Sequence, residues 1–263
     1  MAIDPRAATF RLAVEYDGTG FHGWQLQRAH RSVQGDLEAA LRRLSTGPVR
    51  VAAAGRTDAG CHAAGQVASA TFVTRLGAER LRLALNALLA ADVRVVEAAE
   101  VEAGFHARFD AMRRGYRYLV LAKPTAIRRG YAWIRPVAGG PRELDEASRQ
   151  ILGSHDFTSF SKQGSETKDA RCVVSRARWS KSPGGLRFDI EADRFLYGMV
   201  RRIVSTVIRA VERGVGARGV REVLEARDRR AAAPPAPAHG LYLMRVRYPR
   251  VGWIPKEPLH VSI

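Results

Sequence analysis

The feature that most constrains this fold is the order in which two kinds of apolar spacing follow one another. In residues 186–192 apolar and charged side chains alternate, which is the period of a β-strand with one buried face. In residues 196–213 the apolar side chains instead recur every three or four positions, as they do on one face of a helix. Because strand-like and helix-like segments interchange along the chain, the sequence predicts a fold that contains both.

The same two spacings predict two successive sets of elements. The first set has strands at 10–16, 49–54, 66–72 and 93–101 and helices at 33–44 and 78–89, with Ser32 as the N-cap of the first helix. The second set has strands at 116–122, 173–179, 186–192 and 241–248 and helices at 144–152, 196–213 and 220–226. We predict an extended surface connection at 231–239 and no regular structure beyond Pro249.

This order predicts the α+β class. Each set reads β-α-β-β-α-β, the ferredoxin-like or RRM-like pattern, so we predict two similar halves whose antiparallel sheets lie side by side with a cleft between them. The predicted domains are residues 1–111, residues 112–249 and a tail of residues 250–263. The duplication is inferred from the order of elements alone, since no residue-level repeat relates the two halves.

The charge balance narrows the range of partners. The chain has 43 Lys and Arg residues against 26 Asp and Glu residues, a formal charge of +17, which favours polyanions and nucleic acid first among them. Cys61 and Cys172 lack the spacing of a zinc site or a disulfide framework. No apolar run approaches the ~18 residues of a membrane span. We therefore expect a cytoplasmic protein with no membrane partner and no bound metal.

The segment Ala54-Gly55-Arg56-Thr57-Asp58-Ala59-Gly60-Cys61-His62 is the strongest candidate for chemistry. Asp58 is the sole acidic residue between Glu38 and Glu79, so the sequence offers it no neighbouring carboxylate for an acid–base pair or a magnesium site. A lone carboxylate beside Arg56 suits a nucleophile or a single base. Taken on their spacing alone, these residues more often form an ordinary turn with no catalytic role.

Other segments have both a structural and an RNA-binding interpretation. Residues 105–109 interleave aromatic and basic side chains, although on their own they favour a strand end with two core phenylalanines. Tyr116 and Tyr118 share one face of a predicted strand, where they can stack on a base or pack in the core. Arg201 lies at the edge of the apolar stripe of helix 196–213, and a solvated position is the simpler reading. Residues 164–168 read as a loop.

Several motifs together resemble a known family. The segment Gly55-Arg56-Thr57-Asp58-Ala59-Gly60-Cys61-His62-Ala63, followed by Gly65-Gln66-Val67, closely resembles the signature of the tRNA pseudouridine synthase A (TruA) family. Further matches follow in the expected order over nearly the whole chain: Glu15-Tyr16-Asp17-Gly18, Gly23-Trp24-Gln25, Ser32-Val33-Gln34, residues 105–109, Tyr116-Arg117-Tyr118, residues 156–160, Met199-Val200-Arg201 and Gly240-Leu241-Tyr242-Leu243. Each match is weak alone, but their common order is specific.

The resemblance implies a set of roles. Asp58 corresponds to the nucleophile, Arg56 to the arginine that helps displace the target base, Tyr116 to the base-stacking tyrosine, Arg201 to the arginine that pairs with the carboxylate, and Leu241 to a wall of the uridine pocket. RNA contacts fall on Phe105, His106, Ala107, Arg108 and Phe109, and on Gly164, Ser165, Glu166, Thr167 and Lys168. The implied substrate is tRNA, at uridines 38 to 40 of the anticodon arm, and the implied assembly is a homodimer.

The implied reaction breaks the N1–C1′ bond of uridine and joins C5 to C1′, so it requires no cofactor. Asp58 either attacks C1′ or removes a sugar proton to give a glycal, and the sequence leaves both routes open. The main alternative is a non-catalytic RNA-binding protein with two RRM-like halves. A metal-dependent nuclease is disfavoured by the lack of carboxylate clusters in the sequence, and a membrane-surface protein by the lack of a basic amphipathic helix of the right kind.

Overall fold

A computed structural model describes residues 6–162 and 169–256, and it confirms the α+β class. Its strands are β1 (Arg6–Tyr16), β2 (Ala52–Ala53), β3 (His62–Thr74), β4 (Val93–Val101), β5 (Arg113–Leu121), β6 (Trp133–Ile134), β7 (Gly153–Asp156), β8 (Arg171–Ser182), β9 (Gly185–Ala192), β10 (Leu241–Tyr248) and β11 (Gly252–Ile254). Its α-helices are α1 (Val33–Arg42), α2 (Ala78–Leu88), α3 (Pro141–Ser148), α4 (Met199–Glu212) and α5 (Gly216–Ala226). The described residues form two compact units: residues 6–112 together with 243–256, and residues 113–162 together with 169–242.

The first unit is built on a sheet with the strand order β4-β1-β3-β10. β1 pairs antiparallel with both β3 and β4, and side chains such as Leu12 and Val14 are completely buried. The short strand β2 pairs with β3, and β11 pairs with β10. The predicted N-cap of α1 is confirmed, since Ser32 Oγ accepts a hydrogen bond from the backbone N–H of Gly35 at 3.3 Å. Because β2 pairs with β3, the loop that follows β2 is attached to the sheet of the first unit.

The second unit is built on a sheet with the strand order β5-β9-β8-β7, in which all three pairings are antiparallel, while β6 pairs parallel with β5. Helices α3, α4 and α5 pack on one another. The apolar stripe predicted on α4 forms its buried face, where Met199, Ile203 and Val207 have no exposed surface. The helix begins at Met199 because the preceding residue, Gly198, has a φ of +74°. This left-handed conformation cannot be part of a right-handed helix.

Several element predictions differ from the structure. The strand predicted at 49–54 is reduced to the two residues of β2, which pair with Ser69 and Ala68 of β3. The region beyond Pro249, predicted to lack regular structure, contains β11, which gains its hydrogen bonds from β10. The predicted surface connection at 231–239 buries Ala232, Ala233 and Ala236, whereas Pro234 and Pro235 are exposed. In the described residues no helix is both long enough and apolar enough to cross a membrane.

Candidate active site

Asp58 lies in the loop between β2 and β3 of the first unit. Its backbone carbonyl accepts a hydrogen bond from the N–H of Cys61 at 3.1 Å, which closes a turn through Ala59 and Gly60. The turn interpretation is therefore correct for the backbone. Asp58 itself is only half-buried, and Arg56 two residues earlier is exposed. The loop thus holds a carboxylate and a guanidinium at the surface of the unit on a defined backbone.

Distant parts of the first unit hold this loop on both sides of Asp58. The hydroxyls of Tyr16 and Thr57 lie 2.8 Å apart in a buried hydrogen bond, and the N–H of Trp24 donates to the Thr57 carbonyl at 3.1 Å. The side-chain amide of Gln66 donates to the Gly55 carbonyl at 2.7 Å. Because the residues beside Asp58 are tied to the end of β1, to the loop before α1 and to β3, the carboxylate is preorganised.

The close approach of the loop before α1 depends on a glycine. Gly23 has a φ of +92°, and a Cβ atom at this position would lie 2.7 Å from the Thr57 carbonyl oxygen and 3.2 Å from the Asp58 carbonyl carbon. Only a residue without a side chain fits both the backbone conformation and the contact. Gly23 therefore sets the position of the Thr57–Asp58 peptide.

We expect Gly23→Ala to lower both stability and activity. The left-handed conformation and the clash with Thr57 should reduce the free energy of unfolding by roughly 2 kcal/mol, and displacement of Asp58 should reduce turnover at least ~10-fold. Denaturant unfolding and single-turnover assays measure the two effects. Gly77→Ala is the matched control, because Gly77 has a φ of −73° and a Cβ there would contact nothing within 4 Å. Equal effects of the two substitutions would contradict this role of Gly23.

Residues 105–109 form a loop in the first unit rather than the predicted strand end with two core phenylalanines. Ala107 is buried and anchors the loop: its N–H donates to Ser69 Oγ at 3.0 Å, and its carbonyl accepts from the Tyr248 hydroxyl at 2.6 Å. Phe109 is 74% exposed, with the His106 ring 4.3 Å away and the Arg108 guanidinium over its face. The anchored backbone therefore presents an aromatic and basic surface to solvent.

The second unit contains the other residues that the resemblance singles out. Tyr116 lies on β5 opposite Ile190 of β9, is buried, and meets the Phe195 ring edge-on at a centroid distance of 5.1 Å. Leu241 is the first residue of β10 and is also buried. Both side chains are fixed by the sheet rather than by a loop. Residues 164–168, the second predicted RNA contact, lie outside the described residues.

Arg201 is half-buried on α4. Its Nε donates to the Ala236 carbonyl at 2.6 Å, and the Ala236 N–H donates to the Arg201 carbonyl at 3.1 Å. The segment at 233–237 is itself held at both ends, since the Ala233 N–H donates to Thr206 Oγ1 at 3.1 Å and the Tyr118 hydroxyl donates to the Pro237 carbonyl at 2.8 Å. These bonds fix the direction of the guanidinium.

The neighbouring histidine does not add a second positive charge beside Arg201, so an anion is favoured there over a further cation. Burial lowers the pKa of His239 below its ordinary value, and the charge of Arg201 lowers it further, against an opposing hydrogen bond with the backbone of Ala132. His239 is therefore neutral at neutral pH, and it adds no positive charge beside Arg201. Across residues 6–162 and 169–256, no group of three or more His, Cys, Asp or Glu side chains is arranged to hold a metal ion.

Reasoning from the sequence missed the groups that hold these residues in place. Tyr16, Gln66 and the carbonyl of Ala236 support the candidate catalytic residues, but the bonds they make join parts of the chain that are far apart in sequence. No local spacing signals such a bond. The sequence offers one related signal. The glycines at positions 18 and 23, Gly18 and Gly23, indicate that the backbone lies close to another segment, but they do not show which segment it is.

Comparison with known proteins identifies the family. A family model described as tRNA pseudouridine synthase matches residues 12–110 and 147–249. The chain is 44% identical over 244 residues to "tRNA pseudouridine synthase A" of Geobacillus kaustophilus, covering 90% of this chain and 93% of the relative. It is 40% identical over 242 residues to the protein of that name from Bacillus subtilis, covering 90% and 98%. The predicted family and the predicted enzyme class, an isomerase, are thereby confirmed, and the chain belongs to the tRNA pseudouridine synthase family.

Proposed function

We propose that this protein isomerises uridine to pseudouridine in tRNA at positions 38 to 40 of the anticodon arm, with Asp58 as the catalytic nucleophile. The observation that carries the proposal is the loop around Asp58, whose carboxylate is partly accessible while the residues beside it are bonded to three separate parts of the first unit. A nucleophile requires this combination of accessibility and fixed direction. Family membership supplies the substrate class.

In the proposed reaction the N1–C1′ bond breaks, the uracil turns, C5 bonds to C1′, and the proton that leaves C5 is balanced by one gained at N1. Asp58 contributes a carboxylate either as a nucleophile at C1′ or as the base that removes a sugar proton. The target base must leave the helical stack before the sugar is reached, at a cost of roughly a few kcal/mol. The remaining residues therefore have to receive and hold an extruded nucleotide.

Four side chains are proposed for that task. Arg201 pairs with the Asp58 carboxylate, and its own direction is fixed by Ala236. Tyr116 stacks on the extruded uracil, and Leu241 forms an apolar wall of the pocket. Arg56, which is exposed, helps to displace the base from the stack. The finer architecture is part of this proposal: two similar halves, residues 1–111 and 112–249, with sheets side by side and a cleft that takes the RNA, and a tail of residues 250–263.

We further propose that the protein is a homodimer and acts in the cytoplasm, where tRNA is available. The net charge of +17 supports binding to the RNA backbone. The proposed contact surfaces are residues 105–109 and residues 164–168, the latter outside the described residues. Tight binding that weakens steeply with salt is the expected behaviour, since phosphate contacts release counterions.

We expect Phe109→Ala to weaken tRNA binding without unfolding the protein. Loss of one base-stacking ring costs about 1–3 kcal/mol, so the dissociation constant should rise roughly 10-fold. Because Phe109 is 74% exposed, the unfolding free energy should change by less than about 0.5 kcal/mol. Filter binding and thermal unfolding measure the two. Ile127→Ala, at an apolar side chain 87% exposed in the second unit, is the control and should bind normally. Unchanged binding by the Phe109 variant would remove this loop from the RNA surface.

The direct test of the proposed function is incubation of unmodified tRNA with the purified protein. We expect tritium to be released from tRNA labelled at C5 of uridine, and we expect pseudouridine to map to positions 38, 39 or 40. Tritium release with modification elsewhere would contradict the proposed positions, whereas RNA binding with no tritium release would contradict the proposed activity.

A further inference from the structure

A groove runs along α4 in the second unit, away from the buried stripe of that helix. It is lined by residues of α4 from Ser205 to Glu212 and by Arg213, which follows the end of that helix. The segment at 233–236 and Trp133 and Arg135 of the β6 region complete the lining. The cavity has a volume of about 430 Å³. This is within the range of roughly 300–1,000 Å³ in which proteins bind small groups such as a single nucleotide. We refer to it as the α4 groove.

The α4 groove is positively charged. Three arginines and one glutamate line it, and Arg135 and Glu212 form an ion pair at 2.5 Å. Arg209 and Arg213 are exposed, and neither forms a salt bridge with any described residue. Within residues 6–162 and 169–256, these two positive charges of the groove therefore have no acidic partner. An anionic group is the expected occupant.

The lining also offers a flat apolar surface. Trp133 is half-buried, with the Arg135 guanidinium 4.9 Å above its ring, and Pro234 and Pro235 are exposed on the facing wall. An aromatic ring and proline faces next to free guanidinium groups suit a base or ribose with its phosphate better than they suit a simple inorganic ion. Among anions, a segment of RNA presents both features in one chain.

The position of the α4 groove connects it to the proposed catalytic arginine. Arg201, Ser205, Arg209 and Arg213 follow one another at four-residue intervals, so they lie along one side of α4. Ala236, which lines the groove, is also the residue whose carbonyl accepts the hydrogen bond of Arg201. The α4 groove therefore lies next to Arg201, the proposed active-site residue, and shares Ala236 with it.

We propose that the α4 groove is a second RNA site, which binds a nucleotide of the tRNA other than the uridine that is isomerised, with Arg209 and Arg213 contacting its phosphates. The proposal rests on the proposed function, since it takes tRNA as the substrate. It assigns to α4 two tasks: the N-terminal turn carries Arg201, and the C-terminal half anchors the RNA backbone.

The test is the double variant Arg209→Gln/Arg213→Gln, compared with Arg218→Gln/Arg221→Gln. The control removes the same charge from exposed positions of α5, outside the groove. Loss of two phosphate contacts should raise the dissociation constant for tRNA at least ~10-fold. It should also reduce the slope of log K against log salt by roughly 1.5, at about 0.7–0.9 per phosphate. The control should bind within about twofold of the unaltered protein, since distant surface charges are screened.

The outcomes separate this proposal from the proposed function. If the unaltered protein makes pseudouridine and the groove variant binds tRNA like the control, the second RNA site is wrong and the function stands. If both double variants lose affinity equally, the effect is one of net charge and the groove has no special role. If the groove variant instead changes the sedimentation of the RNA-free protein, the groove contacts a second copy of the chain, which also overturns the proposal. Thermal unfolding verifies that both variants are folded.

Discussion

Asp58→Asn should abolish pseudouridine formation while leaving tRNA binding nearly unchanged. The substitution keeps the size of the side chain, and asparagine is as acceptable as aspartate in a turn of this kind, so the loop should fold normally. The amide is neither a nucleophile at C1′ nor a base for a sugar proton. The rate at saturating tRNA should fall by at least roughly 10⁴-fold, the scale seen when a nucleophile is removed.

Single-turnover tritium release and equilibrium binding measure these two quantities. Glu79→Gln is the control, because Glu79 lies on the surface of α2 with Arg82 as its partner and should lose nothing in either assay. A turnover close to normal in the Asn variant would rule out Asp58 as the catalytic carboxylate. A proportional loss of binding and turnover would instead assign it to RNA recognition.

Arg201→Met should reduce turnover far more than affinity. Methionine retains an unbranched stem of similar length, but it removes the positive charge that is proposed to pair with the Asp58 carboxylate and to hold it in place. Loss of one preorganised charged group costs roughly 10²–10³-fold in turnover. The dissociation constant for tRNA should change less than about threefold, because one contact among many phosphate contacts is a small part of the whole.

The matched variant Arg202→Met separates a role of the Arg201 charge from a purely structural role. Arg202 is the next residue of α4 and also donates to a backbone carbonyl, that of Arg229, at 3.0 Å. Equal losses of turnover from the two substitutions would show that helix stability, and not the charge of Arg201, determines the effect.

Much of the fold follows from the local pattern, as two strands illustrate. The limits predicted for the strands at 93–101 and 241–248 coincide with those of β4 and β10, because short runs rich in apolar residues and the flanking turn residues define them without reference to the rest of the chain. Where tertiary contacts determine the conformation of a segment, the local sequence pattern does not predict that conformation. The shape of the loop at 105–109 is set by bonds to Ser69 and Tyr248, which local spacing does not reveal, so Phe109 was wrongly expected in the core.

The candidate site, like the fold, is predicted only in part by local sequence patterns. The motif around Asp58 indicates a catalytic residue, and the resemblance adds Tyr116 and Arg201, but nothing local indicates what holds them. The Tyr16–Thr57 bond spans 41 residues and the Tyr118–Pro237 bond spans 119. A tyrosine that packs in a core and one that orients a distant carbonyl have the same sequence pattern. Their difference exists only after the chain has folded.

The loop around Asp58 is held mostly through main-chain atoms, namely the carbonyls of Gly55 and Thr57 and the N–H of Gly60, which donates to the Phe21 carbonyl at 3.3 Å. Main-chain anchors are present whatever side chain the residue carries. The exposed position Ala59 is consequently open to diversification in a library, with the carboxylate kept in register. A fold that fixes its reactive group in this manner is a suitable starting scaffold for directed evolution of altered RNA preference.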